Sequence, residues 1–266
     1  VSIRIPRATE KPRKTATSRP RQTAARRTQS RHPHFPPEAL TFLKQLARNN
    51  RREWFNPRKA IFLEQLRQPM LAVIAALLED MADYAPNFLR PPEKCAMRIY
   101  RDTRFAADKT PYKKNVAAWF AAGGLEKTSG AGFYFHVSKD ELVIAAGCYM
   151  PDREQLHKIR LYLADHHAEL RKLLNSAAIK RNFTQFEGLE LSRAPKGFAP
   201  DHPGMDLLRC RQWGIAATLP AAIATTDALF TEVSRRFRQA APLVHFLNTP
   251  LLAHSRETKQ PKAFRL

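Results

Sequence analysis

The sequence predicts an α+β fold: an antiparallel sheet of about five strands, packed on one face by helices, with helical segments at the N-terminal and C-terminal ends. Three observations lead there. Apolar residues recur at helical spacing before residue 82 and again after residue 225. Between residues 94 and 149 lie short segments of alternating pattern, joined by loops too short for a parallel crossover. The length, 266 residues with 44% hydrophobic content, suffices for one sizeable core and is tight for two. The expected organisation is a disordered basic arm over residues 1–34, one domain over 35–253 and a basic tail over 254–266.

The first helix should begin at Pro36-Pro37-Glu38, since proline suits the first turn and an acid suits the positive end of the helix dipole. Leu40, Leu43, Leu46 and Ala47 follow helical spacing, and Asn49-Asn50 offers a stop. Trp54 and Phe55 are expected to pin the next turn to the core. Asn56-Pro57 reads as the N-cap and first-turn proline of a second helix, which Pro69 should break or kink. Beyond it Met70, Val73, Ile74, Leu77, Leu78 and Met81 form an apolar stripe, read as core. Residues 85–93, with Pro86, Pro91 and Pro92, read as a linker into the β-rich half.

Strands are expected at 94–100, 115–121, 132–138 and 141–149, with a loop over 123–130 and a hairpin turn at Lys139-Asp140. Alternation sends Met97, Ile99, Val116, Ala118, Phe120, Phe133, Phe135 and Val137 towards the helices. Arg98, Tyr100, Trp119, Tyr134 and His136 fall on the opposite face, where Tyr100, Trp119, Tyr134 and His136 are read as lining a cleft. The alternative is a solvent-facing sheet with ordinary aromatic pairs. A helix from Pro151-Asp152, carrying Leu156, Ile159 and Leu163, should end at His166-His167, with Leu170, Leu173 and Leu174 continuing helically. Irregular chain over 182–204, one turn over 205–210, a strand over 211–217 and two helices near 225–239 and 242–253 complete the domain.

Charge narrows the function classes. The net charge is +21, which argues for a polyanion as partner, most simply nucleic acid; the alternative is a solvated tail and a basic but inert surface. Residues 1–34 contribute +9; taking that from +21 leaves +12 on the rest, so the folded part is basic in its own right. The arm is Arg-rich and acid-poor, as transit peptides are, and equally suits docking on phosphates. Cys95, Cys148 and Cys210 show no CxxC pairing and read as reduced thiols. No apolar run is expected to reach the ~18–20 residues that cross a bilayer, and no signal-peptide core is visible. Cytoplasmic residence without a membrane partner is the expectation.

The densest chemistry lies between Met97 and Asn115, where Arg98, Arg101, Arg104, Lys109, Lys113 and Lys114 stand among only two acids, Asp102 and Asp108. Arginine offers planar, bidentate donors suited to carboxylate and phosphate. Arg98, Arg101, Arg104, Lys109, Tyr112 and Lys113 are therefore the candidate anion-binding residues, with Asp102 orienting the arginines. If the strand ends near Tyr100, Arg101 and Arg104 can converge from a turn. Thr110-Pro111 reads as an N-cap and first-turn proline, whose free N–H groups would add to an anion site. The competing reading is a structural salt-bridge network.

A second loop, Arg193 to Pro203, places Lys196 between Pro195 and Gly197 and is followed by His202. Lys196, His202 and Tyr112 are the candidate proton-transfer groups, although a rigid loop packed by Phe198 explains the segment equally well. Asp165, His166, His167 and Glu169 are metal-type residues, but adjacent histidines point apart on a helix, so no metal site is expected.

The pattern R-x-x-R-D-x-R-F-x-x-x-K-x-x-Y occurs as Arg98, Arg101, Asp102, Arg104, Phe105, Lys109 and Tyr112. It resembles the signature of a bacterial family of uncharacterised proteins, domain of unknown function 2461. The runs FLKQLARNNRREWF (42–55) and LSRAPKGFAPDHP (191–203) resemble the same family, so the likeness spans about residues 35–253. It implies kinship and carries no activity with it. Three readings stay open: an anion-binding protein or enzyme for a phosphorylated or anionic substrate, a nucleic-acid-binding protein, and a scaffold braced by salt bridges.

Overall fold

Five strands pair antiparallel into one sheet, in the order β1-β2-β3-β5-β4. They are β1 (Asn115–Ala121), β2 (Ala131–Ser138), β3 (Glu141–Cys148), β4 (Gln185–Glu187) and β5 (Trp213–Pro220). The structure is a computed structural model that describes residues 32–125 and 130–257, for 253–257 the backbone alone. Most of the expected arm (1–31), residues 126–129 of the expected loop and residues 258–266 of the expected tail lie outside that range. His32 and His34, at the arm's end, lie within it: His32 stacks on Phe230 at 4.3 Å, and His34 stands 3.5 Å from Asp227.

The β2–β3 hairpin turns at Lys139-Asp140, where the Ser138 hydroxyl accepts the N–H groups of Asp140 (3.3 Å) and Glu141 (3.1 Å). One face of the sheet is uniformly apolar. Val116, Ala118, Phe120, Phe133, Phe135, Val137, Leu142 and Ile144 are all buried there, as alternation on β1–β3 requires. Phe237 of the C-terminal helix meets Phe120 at 5.4 Å and Phe133 at 5.1 Å, within the range of favourable ring contacts.

Segment 94–100 is not a strand. Pro92–Cys95 is a helical turn, favoured by proline at its first position. Beyond it only isolated bridges form, Ala96 to Ala118 and Tyr100 to Tyr112. The fifth strand is instead β4, three exposed edge residues within the segment expected to be irregular.

Helices run further than their prolines suggest. Pro37–Arg48 forms the first, burying Ala39, Phe42, Leu43 and Leu46. Arg52–Met81 is then one helical run of 30 residues, so Asn56 makes no side-chain cap. A π-helical turn over Leu63–Arg67 directly precedes Pro69, and its wider bore makes room where the proline ring meets the preceding turn. By length and composition, with a window of mean hydropathy 1.4, this run could cross a membrane, which corrects the expectation that no such stretch exists. Its Met70, Val73, Ile74, Leu77, Leu78 and Met81 are buried in the core, which accounts for its apolarity.

Ala228–Glu257 is likewise one helix with Pro242 and Pro250 inside it, not two. A proline forfeits a backbone bond, but Phe237, Ala240, Ala241, Val244 and Leu247 are buried on both sides of Pro242 and hold the axis together. Arg153–Leu174 starts at a capping box, with Asp152 accepting from the Gln155 N–H at 2.9 Å and Gln155 answering at 3.4 Å. At His166 it bends (φ −119°, ψ 18°) and does not end. Asn248 binds the helix to the sheet, accepting the Ala131 N–H at 2.8 Å and donating to the Ala131 carbonyl at 2.9 Å.

Candidate functional site

The sheet's second face carries small residues where its first carries large ones. Gly132 pairs with Gly147 and Gly147 with Gly214, while Tyr134 pairs with Ala145 and Ala145 with Ala216. Side-chain volume is missing along these two rows, and a cavity of about 550 Å³ lies over them. Met97, Trp119, Tyr134, His136, Tyr149 and Met150 wall it, with Glu187 at the β4 edge. Two of the three glycines are required there. A Cβ on Gly147, at φ +129°, would stand 2.1 Å from the Trp213 carbonyl oxygen. A Cβ on Gly132 would stand 2.7 Å from the Trp119 ring, which lies across it.

Few polar atoms enter this chamber. The Tyr134 hydroxyl lies 3.1 Å from Nδ1 of His136, whose Nε2 lies 3.6 Å from Glu141. Facing a carboxylate favours the Nε2–H tautomer, which leaves Nδ1 to accept from the Tyr134 hydroxyl. Burial pushes the Tyr134 phenol up to about 12. Burial also lowers the His136 pKa, against the opposing pull of Glu141. Both side chains are therefore uncharged at neutral pH. Nε1–H of Trp119 is buried and takes no hydrogen-bond partner among the described residues.

Beside the chamber is a second hollow of about 440 Å³, lined by Arg101, Asp108, Lys113, Lys114, Asn115 and Ala117. The two share Met97 and Tyr134 and so lie side by side. Loop 101–114 forms the outer wall. Asp108 shapes it by accepting the Thr110 N–H at 2.9 Å, an Asx turn. The same carboxylate takes Nη1 of Arg101 at 2.5 Å and the Thr110 hydroxyl at 3.0 Å. The Thr110 backbone bond, then Arg101 and the Thr110 hydroxyl, hold the Asp108 carboxyl down at about 2. Nη1 also meets Thr110 Oγ1, while Nε and Nη2 of Arg101 take no hydrogen-bond partner among the described residues. The loop's base is fixed from afar: Asn50 accepts the Tyr112 N–H at 3.0 Å and donates to the Tyr112 carbonyl at 2.8 Å. The Tyr112 ring stacks on Phe55 at 4.1 Å.

Of the sequence-derived candidates, Arg101, Tyr112 and Lys113 line the cationic hollow, and Trp119, Tyr134 and His136 line the chamber. The three arginines do not converge. Arg104 is 77% exposed and is held by Asp102 through Nε (3.1 Å) and Nη2 (2.8 Å). Asp102 therefore orients Arg104, outside the hollow, and that pairing brings its own carboxyl down to about 2. Arg98 is exposed and adds a weaker charge effect on Asp102. Lys109 folds back onto the Thr103 carbonyl at 3.0 Å.

The reason is local: residues 98–104 form no helical turn, so i, i+3 spacing aligns nothing, and no helix starts at Thr110-Pro111 either. A residue before proline avoids the helical region, and Asp108 has already committed Thr110 to a turn. Tyr112 is only 1% exposed and serves as an anchor; burial raises its pKa, which suits neither an acid nor a base at neutral pH. Tyr100 packs against Phe55 and Tyr112 and lines neither cavity. Met97, expected to face the helices, walls both cavities, because the strand that would set its alternation is absent.

Lys196 and His202 line neither cavity. Nδ1 of His202 accepts the Gly204 N–H at 3.0 Å, and its ring meets His167 edge-on at 5.3 Å. His166 stacks on Tyr162 at 4.1 Å, and no metal-binding group of three or more His, Cys, Asp or Glu occurs among the described residues. Asp108, Lys114 and Asn115 carry no distinguishing motif, and the sequence assigned them no role; their place follows from the loop's path.

The profile of a family described as conserved hypothetical protein (DUF2461) matches residues 38–246, and the chain belongs to that family. No curated protein and no solved structure matches the chain. The arginine-rich signature that resembles the family's lies in the loop wall of the cleft.

Proposed function

We propose that this member of the family binds an anionic small molecule, through a carboxylate or phosphate, in the hollow beside loop 101–114. One observation carries the reading: Arg101, Lys113 and Lys114 line a single concavity against one acid, Asp108. That acid is already bonded to Thr110 and Arg101 and fixes the guanidinium with its Nε–Nη2 edge unspent. A fixed, half-spent arginine is pre-organised for a bidentate anion. The net charge of +21 adds a field that draws anions in.

A thermal-shift titration with inorganic phosphate and with acetate, at constant ionic strength, tests it. Occupancy at a hundred times the dissociation constant adds about 2.7 kcal/mol, so the melting temperature should rise with concentration and saturate. Arg101→Ala should flatten the curve without unfolding the protein. No rise in the wild type, or an unchanged rise in the variant, contradicts the proposal.

Nucleic-acid binding is a second reading, favoured by Phe105, which is 96% exposed with the Arg104 guanidinium 5.9 Å from its ring. An exposed ring among cations is a stacking platform for unpaired bases, worth ~1–3 kcal/mol each. Phe105→Ala should then weaken single-stranded oligonucleotide binding about tenfold at constant salt. Binding unchanged by that substitution removes the support.

A further inference from the structure

We infer that the two cavities hold one ligand, an anionic amphiphile with its head in the cationic hollow and an aromatic body in the chamber over the glycine and alanine rows. The inference rests on the proposed anion site and goes further by naming the ligand's chemical class. The cavities share Met97 and Tyr134 in their linings and so adjoin, which puts both within the span of one short molecule. At about 550 Å³ the chamber falls within the range of roughly 300–1,000 Å³ usual for small-molecule sites, which are mostly apolar with a few placed polar groups.

Charge sets the ligand's polarity. Three cations stand at the hollow, while Tyr134, which borders both spaces, and its partner His136 on the chamber side are uncharged. Glu187, the acid at the chamber's far edge, disfavours a second anionic group there. The lining favours a flat body: Trp119 and Tyr134, with centroids 6.5 Å apart, put two aromatic rings in the wall, while Gly147, Gly214, Ala145 and Ala216 leave the floor low. At the rim Tyr149 is 55% and Met150 70% exposed, and Met150 is held at φ +48°, uncommon for a residue with a Cβ. Large apolar groups exposed beside a cavity are what a ligand-covered surface requires.

Calorimetric titration of the full chain with three probes tests this: inorganic phosphate, 2-naphthyl phosphate and the neutral 2-naphthalenemethanol. Two variants fill the chamber, Ala145→Phe and Ala216→Leu; the second serves if the first fails to fold, and one removes the head contact, Arg101→Ala. Naphthyl phosphate should bind at least tenfold tighter than inorganic phosphate. Filling the chamber should erase that gain and leave inorganic phosphate within about twofold of wild type. Arg101→Ala should weaken both anions. If naphthyl phosphate gains nothing, or keeps its gain in a filled variant, the shared ligand is overturned while the anion site stands on inorganic phosphate. Should the neutral probe bind as tightly as naphthyl phosphate, the chamber works without the head and the inference fails. If neither anion binds, both readings fall together.

Discussion

The cleft's two walls are built by opposite means. The sheet wall takes its shape from backbone pairing, which places Tyr134, Ala145 and Ala216 in one row and Gly132, Gly147 and Gly214 in the next. The loop wall has almost no ladder; Asn50, Asp108, Thr110 and the Phe55–Tyr112 stack hold it. Shape therefore resides in an element that cannot shift without unpairing strands. Charge resides in one closed at its base by two backbone bonds, from the Arg101 N–H to Pro111 and from the Lys113 N–H to Ile99, and otherwise held by a few exchangeable side-chain bonds. Substitutions in the sheet wall should cost stability, and those in the loop wall should cost binding, except where the loop is rooted in the core.

That exception gives the largest effect. Phe55→Ala removes the face on which Tyr112 stacks and empties a buried site shared with Phe42 and Phe62, so unfolding free energy should drop by about 3–5 kcal/mol in urea titration. Gly147→Ala forces a Cβ against the Trp213 carbonyl at a left-handed φ and should cost about 2–4 kcal/mol by the same measurement. A smaller loss than Phe55→Ala but with a visible effect on the loop is expected of Asn50→Ala. It strands both backbone groups of Tyr112, costs about 1–3 kcal/mol and should raise amide exchange over 100–113 while leaving β2 and β3 protected. Exchange that rises equally in both walls would erase the distinction between them.

Acid should reach the walls at different pH. The His136 pKa is depressed in the fold, so its contribution is present above the ordinary histidine value of about 6.5 and is lost as pH falls and the unfolded state takes up the proton. In the loop, Asp108 sits at about 2 against an ordinary 3.8, so its contribution persists to lower pH and fades between about pH 4 and 2. His136→Gln should flatten the stability curve below pH 6.5, and Asp108→Asn only its last acid limb, the smallest change expected here. Stability curves that coincide with wild type in both variants would contradict the assigned environments.

The same contrast explains what the sequence disclosed. Strands β1, β2 and β3 were legible because large residues such as Phe120, Phe133 and Phe135 alternate with others along each strand. β4 was not, since three exposed residues carry no period. Pro69 read as a break, and the last helix as two pieces near 225–239 and 242–253, because sequence rules are local, whereas the burial that keeps each helix whole is tertiary. The cationic stretch was visible as composition, but its pairing was not. Arg101 meets Asp108 seven residues on, and Asn50 meets Tyr112 across 62 residues, contacts that no short spacing encodes. The chamber was silent for another reason. Gly147 and Gly214 carry no strand signal of their own, and only register aligns them into one floor.

Whether hollow and chamber act as one site can be read at two reporters during a single titration. The indole N–H of Trp119 lies in the chamber wall and the backbone N–H of Lys114 at the hollow, and both give signals in an amide correlation NMR spectrum. On adding 2-naphthyl phosphate both should move and saturate with one dissociation constant. Separate constants, or a Lys114 signal that moves while Trp119 stays still, would show two unconnected surfaces and contradict the shared cleft.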